Sequence, residues 1–214
     1  MDARRHWESV YESRPADRVS WFRPHLDRSL DLIASLELPR DAPILDVGGG
    51  ACTLVDDLLE LGYSDVTVLD VSEAALQAAR SRVGNRGARW LRADVTNPEE
   101  LPANAFRLWH DRALFHFLLE PEARARYLAA VRRSVVAGGH VVIAAFGPNG
   151  PQTCSGLAVR RYDAEALHEE LGSGFARVAD SKELHTTPSG VRQEFVYGLF
   201  RRSGATGGQG DGAS

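Results

Sequence analysis

The run Ile44-Leu45-Asp46-Val47-Gly48-Gly49-Gly50-Ala51-Cys52 constrains this chain more than any other feature. It reads as a buried strand that ends in a carboxylate and breaks into a glycine turn. A helical stretch from Thr53 to Leu61 follows at once. Twenty positions beyond Gly50, a second apolar strand, Val66-Thr67-Val68-Leu69, ends in Asp70. Strand, glycine turn, helix and acid-tipped strand together make a nucleoside half-site. Glycines let the backbone approach a ligand closely, and the second acid accepts ribose hydroxyls.

The rest of the chain extends that unit. Strands are predicted at 43–47, 66–70, 88–92, 106–110 and 139–146. Helices lie between them at 52–62, 73–83 and 121–134, with a short turn near 98–102. Ser72 caps helix 73–83 and Glu73 suits its positive end. Pro121 fits the first turn of helix 121–134, and Gly138-Gly139 terminates it. Alternation of strands and helices implies parallel pairing with right-handed crossovers. After a long loop, 147–162, comes a helix at 163–171. Strands near 174–184 and 192–201, joined by Thr186-Thr187-Pro188-Ser189-Gly190, form a hairpin, so one of them runs antiparallel to the rest.

Residues 1–38 read as an N-terminal helical extension or lid, 39–202 as the main domain and 203–214 as a disordered, Gly-rich tail. Trp7, Val10 and Tyr11 share a helical face. A second helix, about Asp27 to Leu36, carries Leu30, Ile33 and Ala34 on its apolar side. The 214 residues, 43% hydrophobic, suit one domain with small extensions. A net charge of −4 gives no electrostatic case for nucleic acid. Cys52 and Cys154 form no CxxC pair and no metal spacing, so a reduced, cytoplasmic protein without a metal is expected. No apolar run is long enough for a membrane. Lys182 is the only lysine, the other basic residues being arginine.

This arrangement resembles the class I S-adenosylmethionine-dependent methyltransferases from about residue 40 to 201. Asp46-x-Gly48-x-Gly50 is similar to their first motif and Asp70 to the acid ending their second strand. Ala93-Asp94-Val95 resembles the segment that reads adenine. Gly138-Gly139 resembles the turn entering their fifth strand, and the hairpin their antiparallel seventh strand beside the sixth. Cys52 stands where many members have a third glycine. Leu108-Trp109-His110-Asp111-Arg112-Ala113-Leu114-Phe115-His116-Phe117 is similar to a group of small bacterial methyltransferases, as is His6-Trp7-Glu8-x-x-Tyr11 with Ser20-Trp21-Phe22. A distant likeness to fold-mates that methylate protein lysines is also present.

The resemblance implies a three-layer, Rossmann-like α/β fold, with a seven-stranded, mostly parallel sheet. It implies S-adenosylmethionine as cofactor and S-adenosylhomocysteine as product. Backbone N–H groups at Gly48, Gly49 and Gly50 would surround the methionyl part, and Asp46 would act on its ammonium. Asp70 would take both ribose hydroxyls. Asp94 would accept from the adenine amine beside Ala93, with Val71 and Val95 flanking the ring. The carboxyl edge of strand 106–110 brings His110, Asp111, Arg112 and His116 toward the sulfonium. There Asp111 steadies the positive region or the substrate, Arg112 holds an anionic group, and His116 is the candidate base. Trp7, Tyr11, Trp21 and Phe22 either roof the cofactor or simply pack the N-terminal helix. The arginines at 124, 126, 132 and 133 read as a solvated helix face.

The expected activity is methyl transfer to an O, N or S atom of a small-molecule acceptor, by a monomer or homodimer without nucleic-acid or membrane partners. Three alternatives stay open: a protein lysine methyltransferase, a non-catalytic S-adenosylmethionine-binding protein and an NAD-dependent oxidoreductase. The last predicts Gly-x-Gly-x-x-Gly, and Thr53 stands where its final glycine belongs. No Asn/Asp-Pro-Pro-aromatic motif follows strand four, which argues against amino methylation of nucleic-acid bases in the manner of enzymes that carry it, and no Pro-Cys dipeptide occurs, which argues against cytosine C5 methylation.

Overall fold

The structure is a computed structural model that describes residues 2–13 and 15–204. Beyond Gly204, the predicted disordered tail lies outside the described residues. Two helices come first, α1 (Ala3–Ser13) and α2 (Asp27–Ala34). Then follow β1 (Ile44–Val47), α3 (Leu54–Glu60), β2 (Val66–Asp70), α4 (Glu73–Val83), β3 (Arg89–Arg92) and β4 (Phe106–Arg112). Next come α5 (Pro121–Ser134) and β5 (Val135–Phe146). The predicted loop 147–162 carries a small hairpin, β6 (Thr153–Cys154) with β7 (Leu157–Ala158). The chain continues through α6 (Ala164–Leu171), β8 (Phe175–Thr186) and β9 (Arg192–Arg202).

Seven strands form one sheet in the order β3-β2-β1-β4-β5-β9-β8. β1 to β5 pair in parallel, and β9 runs antiparallel to both neighbours. Side chains alternate between faces, so each strand feeds two cores. Ile44, Val66, Val68, Leu108 and Val142 pack with Leu32 and Ile33 of α2, Leu54 and Leu58 of α3, and Leu76 of α4. Leu45, Val47, Leu69, Trp109 and Ile143 pack on the other face with Tyr127 and Val131 of α5 and Leu167 of α6. These are the three layers expected. Order reverses at β1, so a crevice opens above the carboxyl ends of β1 and β4, where Val47 is level with both Leu69 and Asp111.

Local signals hold at α4, where the Ser72 hydroxyl accepts from Ala75 N–H at 3.2 Å, and at α5, where Pro121 opens the helix. Three expectations need correction. Gly138-Gly139 does not end α5: the backbone turns extended at Val135, and the glycines lie inside β5. There the register slips, from Phe106 opposite Val135 to Leu108 opposite His140. Gly138 has φ +72°, and a Cβ on Gly139 would stand 3.1 Å from the Arg107 carbonyl. On α2 the buried face is Ser29, Leu32 and Ile33, while Ala34 is exposed. A helix this short buries only the stripe its crossing angle presents.

The arginines of α5 are not a uniformly solvated face either. Arg124 is buried, donating to the Leu118 and Leu119 carbonyls and pairing with Glu170 at 3.0 Å. Arg132 and Arg133 tie the helix to the Leu171 and Leu101 carbonyls. None of the described helices is long and apolar enough to cross a membrane.

Candidate active site

A cavity of about 430 Å³ occupies the crevice at the carboxyl edge. Gly48, Asp70, Val71, Ala93, Asp94 and Val95 form its floor and one wall. Ala113, Leu114, Phe117, Leu118 and Arg112 come from the end of β4 and the turn after it. The roof is α1, through Ala3, His6, Trp7 and Tyr11, together with Trp21. Edge-to-face contacts join these rings, with centroids 5.7 Å apart for Trp7 and Trp21 and 4.9 Å for Trp7 and Phe117. Glu8 anchors the roof by accepting from the Ala74 N–H at the start of α4, 3.1 Å away. An acceptor carboxylate is favourable at a helix N-terminus. α1 itself buries no residue fully.

The glycine turn works differently from the expectation. Gly48 and Gly49 N–H both donate to the Leu69 carbonyl, at 2.7 and 3.2 Å. Those donors close the turn onto β2 and do not face the cavity. What the glycines provide is room. A Cβ on Gly48 would come 2.5 Å from Leu114, and one on Gly50 would come 2.7 Å from Asp70 Oδ2 and 2.9 Å from the Tyr11 hydroxyl. Gly48 and Gly50 also hold φ at +65° and +41°, where other residues are strained.

Asp70 lines the cavity from the tip of β2, and its Oδ1 accepts from Ser72 N–H at 2.8 Å. Burial pushes its pKa up to about 7, against the backbone donors of Ser72 and Val71. Asp94 spends Oδ1 on the Thr96 N–H and hydroxyl, at 2.8 and 2.7 Å, and Oδ2 carries neither bond. Asp46 does not line the cavity. Its Oδ1 lies 2.7 Å from His110 Nδ1, and His110 Nε2 lies 2.9 Å from the Ser29 hydroxyl. Asp46 Oδ2 is buried without a partner. An acid free to accept at β2, a second beyond β3, an orphaned carboxylate oxygen beneath the glycines and the close approach that Gly48 allows fit a cationic nucleoside such as S-adenosylmethionine.

The β4 segment divides. Arg112 reaches the cavity; Asp111, His110 and His116 are not among its lining residues. Asp111 is wholly buried, accepting from the Leu114 and Phe115 N–H groups and from the Tyr127 hydroxyl at 2.7 Å. Burial raises its pKa to about 6. His116 Nδ1 accepts from the Phe146 N–H at 3.3 Å, and burial followed by the Arg112 charge lowers its pKa to about 3. The His116 carbonyl accepts from Arg160 N–H. Both residues thus hold the turn that carries Leu114 and Phe117.

Arg112 is gripped from elements far away in sequence. Nε donates to the Tyr197 hydroxyl at 2.9 Å, and Tyr197 donates to Glu183 at 2.7 Å. Nη1 donates to the Trp21 carbonyl at 3.0 Å, and Arg23 also pairs with Glu183. Arg112 Nη2 has no hydrogen bond; Glu183 is 3.7 Å from it. Nothing local in the sequence marks Tyr197 and Glu183 as partners. Also missed were His6 as a wall residue with a buried, unpartnered Nε2, and Arg126 and Leu157 at the margin. Phe22 does not line this cavity. Burial and the Asp46 charge push the Cys52 thiol up to about 12, so it is no nucleophile near neutral pH.

Residues 44–139 match the family model described as a methyltransferase domain. A Bos taurus protein, "eEF1A lysine and N-terminal methyltransferase", is 28% identical over 142 residues, 63% of this chain, and the chain spans only 20% of its length. A solved S-adenosylmethionine-dependent methyltransferase from Anabaena variabilis superposes with a TM-score of 0.75 at 17% identity, covering 94% of this chain and 96% of that one. The Burkholderia thailandensis 1,6-didemethyltoxoflavin-N1-methyltransferase, solved with its substrate and S-adenosylhomocysteine, gives 0.72 at 24% identity, covering 94% and 87%. The structural likenesses concern the fold. Together with the domain match over residues 44–139 they lead to one conclusion: the chain has the fold of the class I methyltransferases, enzymes whose methyl donor is S-adenosylmethionine.

Proposed function

We propose that this protein transfers a methyl group from S-adenosylmethionine to an O, N or S atom of a small-molecule acceptor, releasing S-adenosylhomocysteine. The observation that carries the reading is the roof. α1, Trp21 and Phe117 cover the cavity with interlocked rings, which suits an enclosed small acceptor better than a side chain presented by a folded protein. The bound donor supplies an electrophilic methyl on a positively charged sulfur. Asp70 accepts the ribose hydroxyls and Asp94 the adenine amine, with Val71 and Val95 against the ring. Asp46, shielded behind the glycine turn, acts on the ammonium through its charge and not by direct contact. Trp7, Trp21 and Phe117 turn ring faces and edges to the methyl and keep water out.

On the acceptor side stand Arg112 and His6. Arg112 lines the cavity and offers its charge to an anionic group on the acceptor. His6 lies across Trp7 from Glu8 on the helix, so it flanks the side away from α4, where it lines the cavity. In this reading Asp111 and His116 are positioning residues, because they order the turn 113–117. Catalysis comes mainly from alignment and desolvation.

Protein lysine methylation is the second reading, and the name of the Bos taurus relative favours it. A cell extract incubated with the protein and a methyl-labelled donor separates the two. Label in the low-molecular-mass fraction is expected. Label confined to lysines of protein would overturn the small-molecule reading.

A further inference from the structure

We infer that β8 is a self-pairing edge, through which two copies of this chain join their sheets into one. β8 ends the strand order, and it is twelve residues long. Apart from its ladder with β9, none of the residues 176–186 makes a backbone hydrogen bond to another described residue. Its ladder with β9 slips at Val178, between Arg177 and Ala179, and beyond that slip the regular stretch 179–186 leaves every second N–H and C=O unpaired, a template for another strand. The face that carries Asp180, Lys182 and Leu184 is exposed, and Val178 and Leu184 are 52% and 50% accessible.

Charge selects both the partner and the register. A lone edge lysine deters pairing. Here the chain's only lysine, Lys182, stands two residues from Asp180, so both point to the same face. An antiparallel copy related by a two-fold axis at Ser181 sets Asp180 against Lys182 of the partner, and Lys182 against Asp180 of the partner. An axis at Asp180 or at Lys182 would oppose like charges, and axes between residues leave Asp180 and Lys182 without each other. Only the Ser181 register is self-complementary, which is what an isologous interface requires. Asp180 has no ion-pair partner among the described residues, and Lys182 reaches only Glu194, at 3.8 Å.

Sedimentation equilibrium of the full chain tests this. The wild type should self-associate in the micromolar range. Asp180→Lys alone and Lys182→Asp alone should each weaken the dimer about tenfold or more, because each opposes two pairs of like charges. The double exchange, D180K with K182D, should restore it. A wild type that stays monomeric at every concentration, or a double exchange that recovers nothing, overturns the inference. Binding of S-adenosylhomocysteine should be unchanged in all variants, so the outcome is separate from the methyl-transfer reading.

Discussion

Asp70 carries two opposed demands. Burial disfavours its charge, yet in the proposed role only the ionised form would accept both ribose hydroxyls. Asp70→Asn keeps the Ser72 contact through its remaining oxygen and removes the charge. It should abolish S-adenosylhomocysteine binding in calorimetry while raising ligand-free stability at pH 8 by roughly 1 kcal/mol. Unchanged affinity would remove the ribose assignment. The acids at 46 and 70 were legible because spacing from the glycine turn fixes them on neighbouring strand tips. That Asp46 is shielded behind the turn and bonded to His110 was not, since His110 arrives on β4, sixty-four residues away.

At the scale of elements, α1 is held over the site by few contacts: Glu8 on α4 and the rings of Trp7 and Tyr11. With no fully buried residue it belongs to the low-stability end of the molecule. Amides of α1 should therefore exchange fast in the free protein and slow by about tenfold or more when S-adenosylhomocysteine is bound, read by hydrogen exchange. Equal protection in both states would make α1 a fixed scaffold and not a roof that responds to ligand. The α5–β5 junction makes a second case. A methyl on Gly139 would press on the Arg107 and Val136 carbonyls, at 3.1 and 2.9 Å. Gly139→Ala should cost about 1–3 kcal/mol in denaturant unfolding, the usual penalty of overpacking. The glycine pair was visible in sequence as a break between helix and strand. Its place inside a bulged strand was not, because bulges are set by the partner strand's register.

For the whole molecule, the proposed ribose contact sets ligand and proton in competition at one carboxyl. Asp70 has a folded pKa near 7 against an ordinary 3.8. Between those values the folded protein keeps a proton that the unfolded chain has lost, so stability falls as pH rises through the window and levels off above it. His116 has the opposite sign. Its folded pKa of about 3 lies below the usual 6.5, so its contribution is intact above that value and is lost as pH falls from there toward 3. Ligand-free melting temperature should therefore drop from pH 6.5 to pH 8. S-adenosylhomocysteine at a hundred times its dissociation constant should raise it by about 5–10 °C at pH 8. At that same ligand concentration the increment should be smaller at pH 6, where Asp70 holds its proton; a pH-independent increment would sink the assignment. What the sequence alone determined were the parallel strands, the turn, the two acid tips and the antiparallel hairpin, because each follows from spacing within a few dozen residues. Only the tertiary structure decided which β4 residues face the cavity. Arg112 is turned there by Tyr197 and Glu183, and Asp111 and His116 are drawn inward by Tyr127 and Phe146. Side-chain direction at a strand end is fixed by partners brought from elsewhere in the chain, and local sequence carries no record of them.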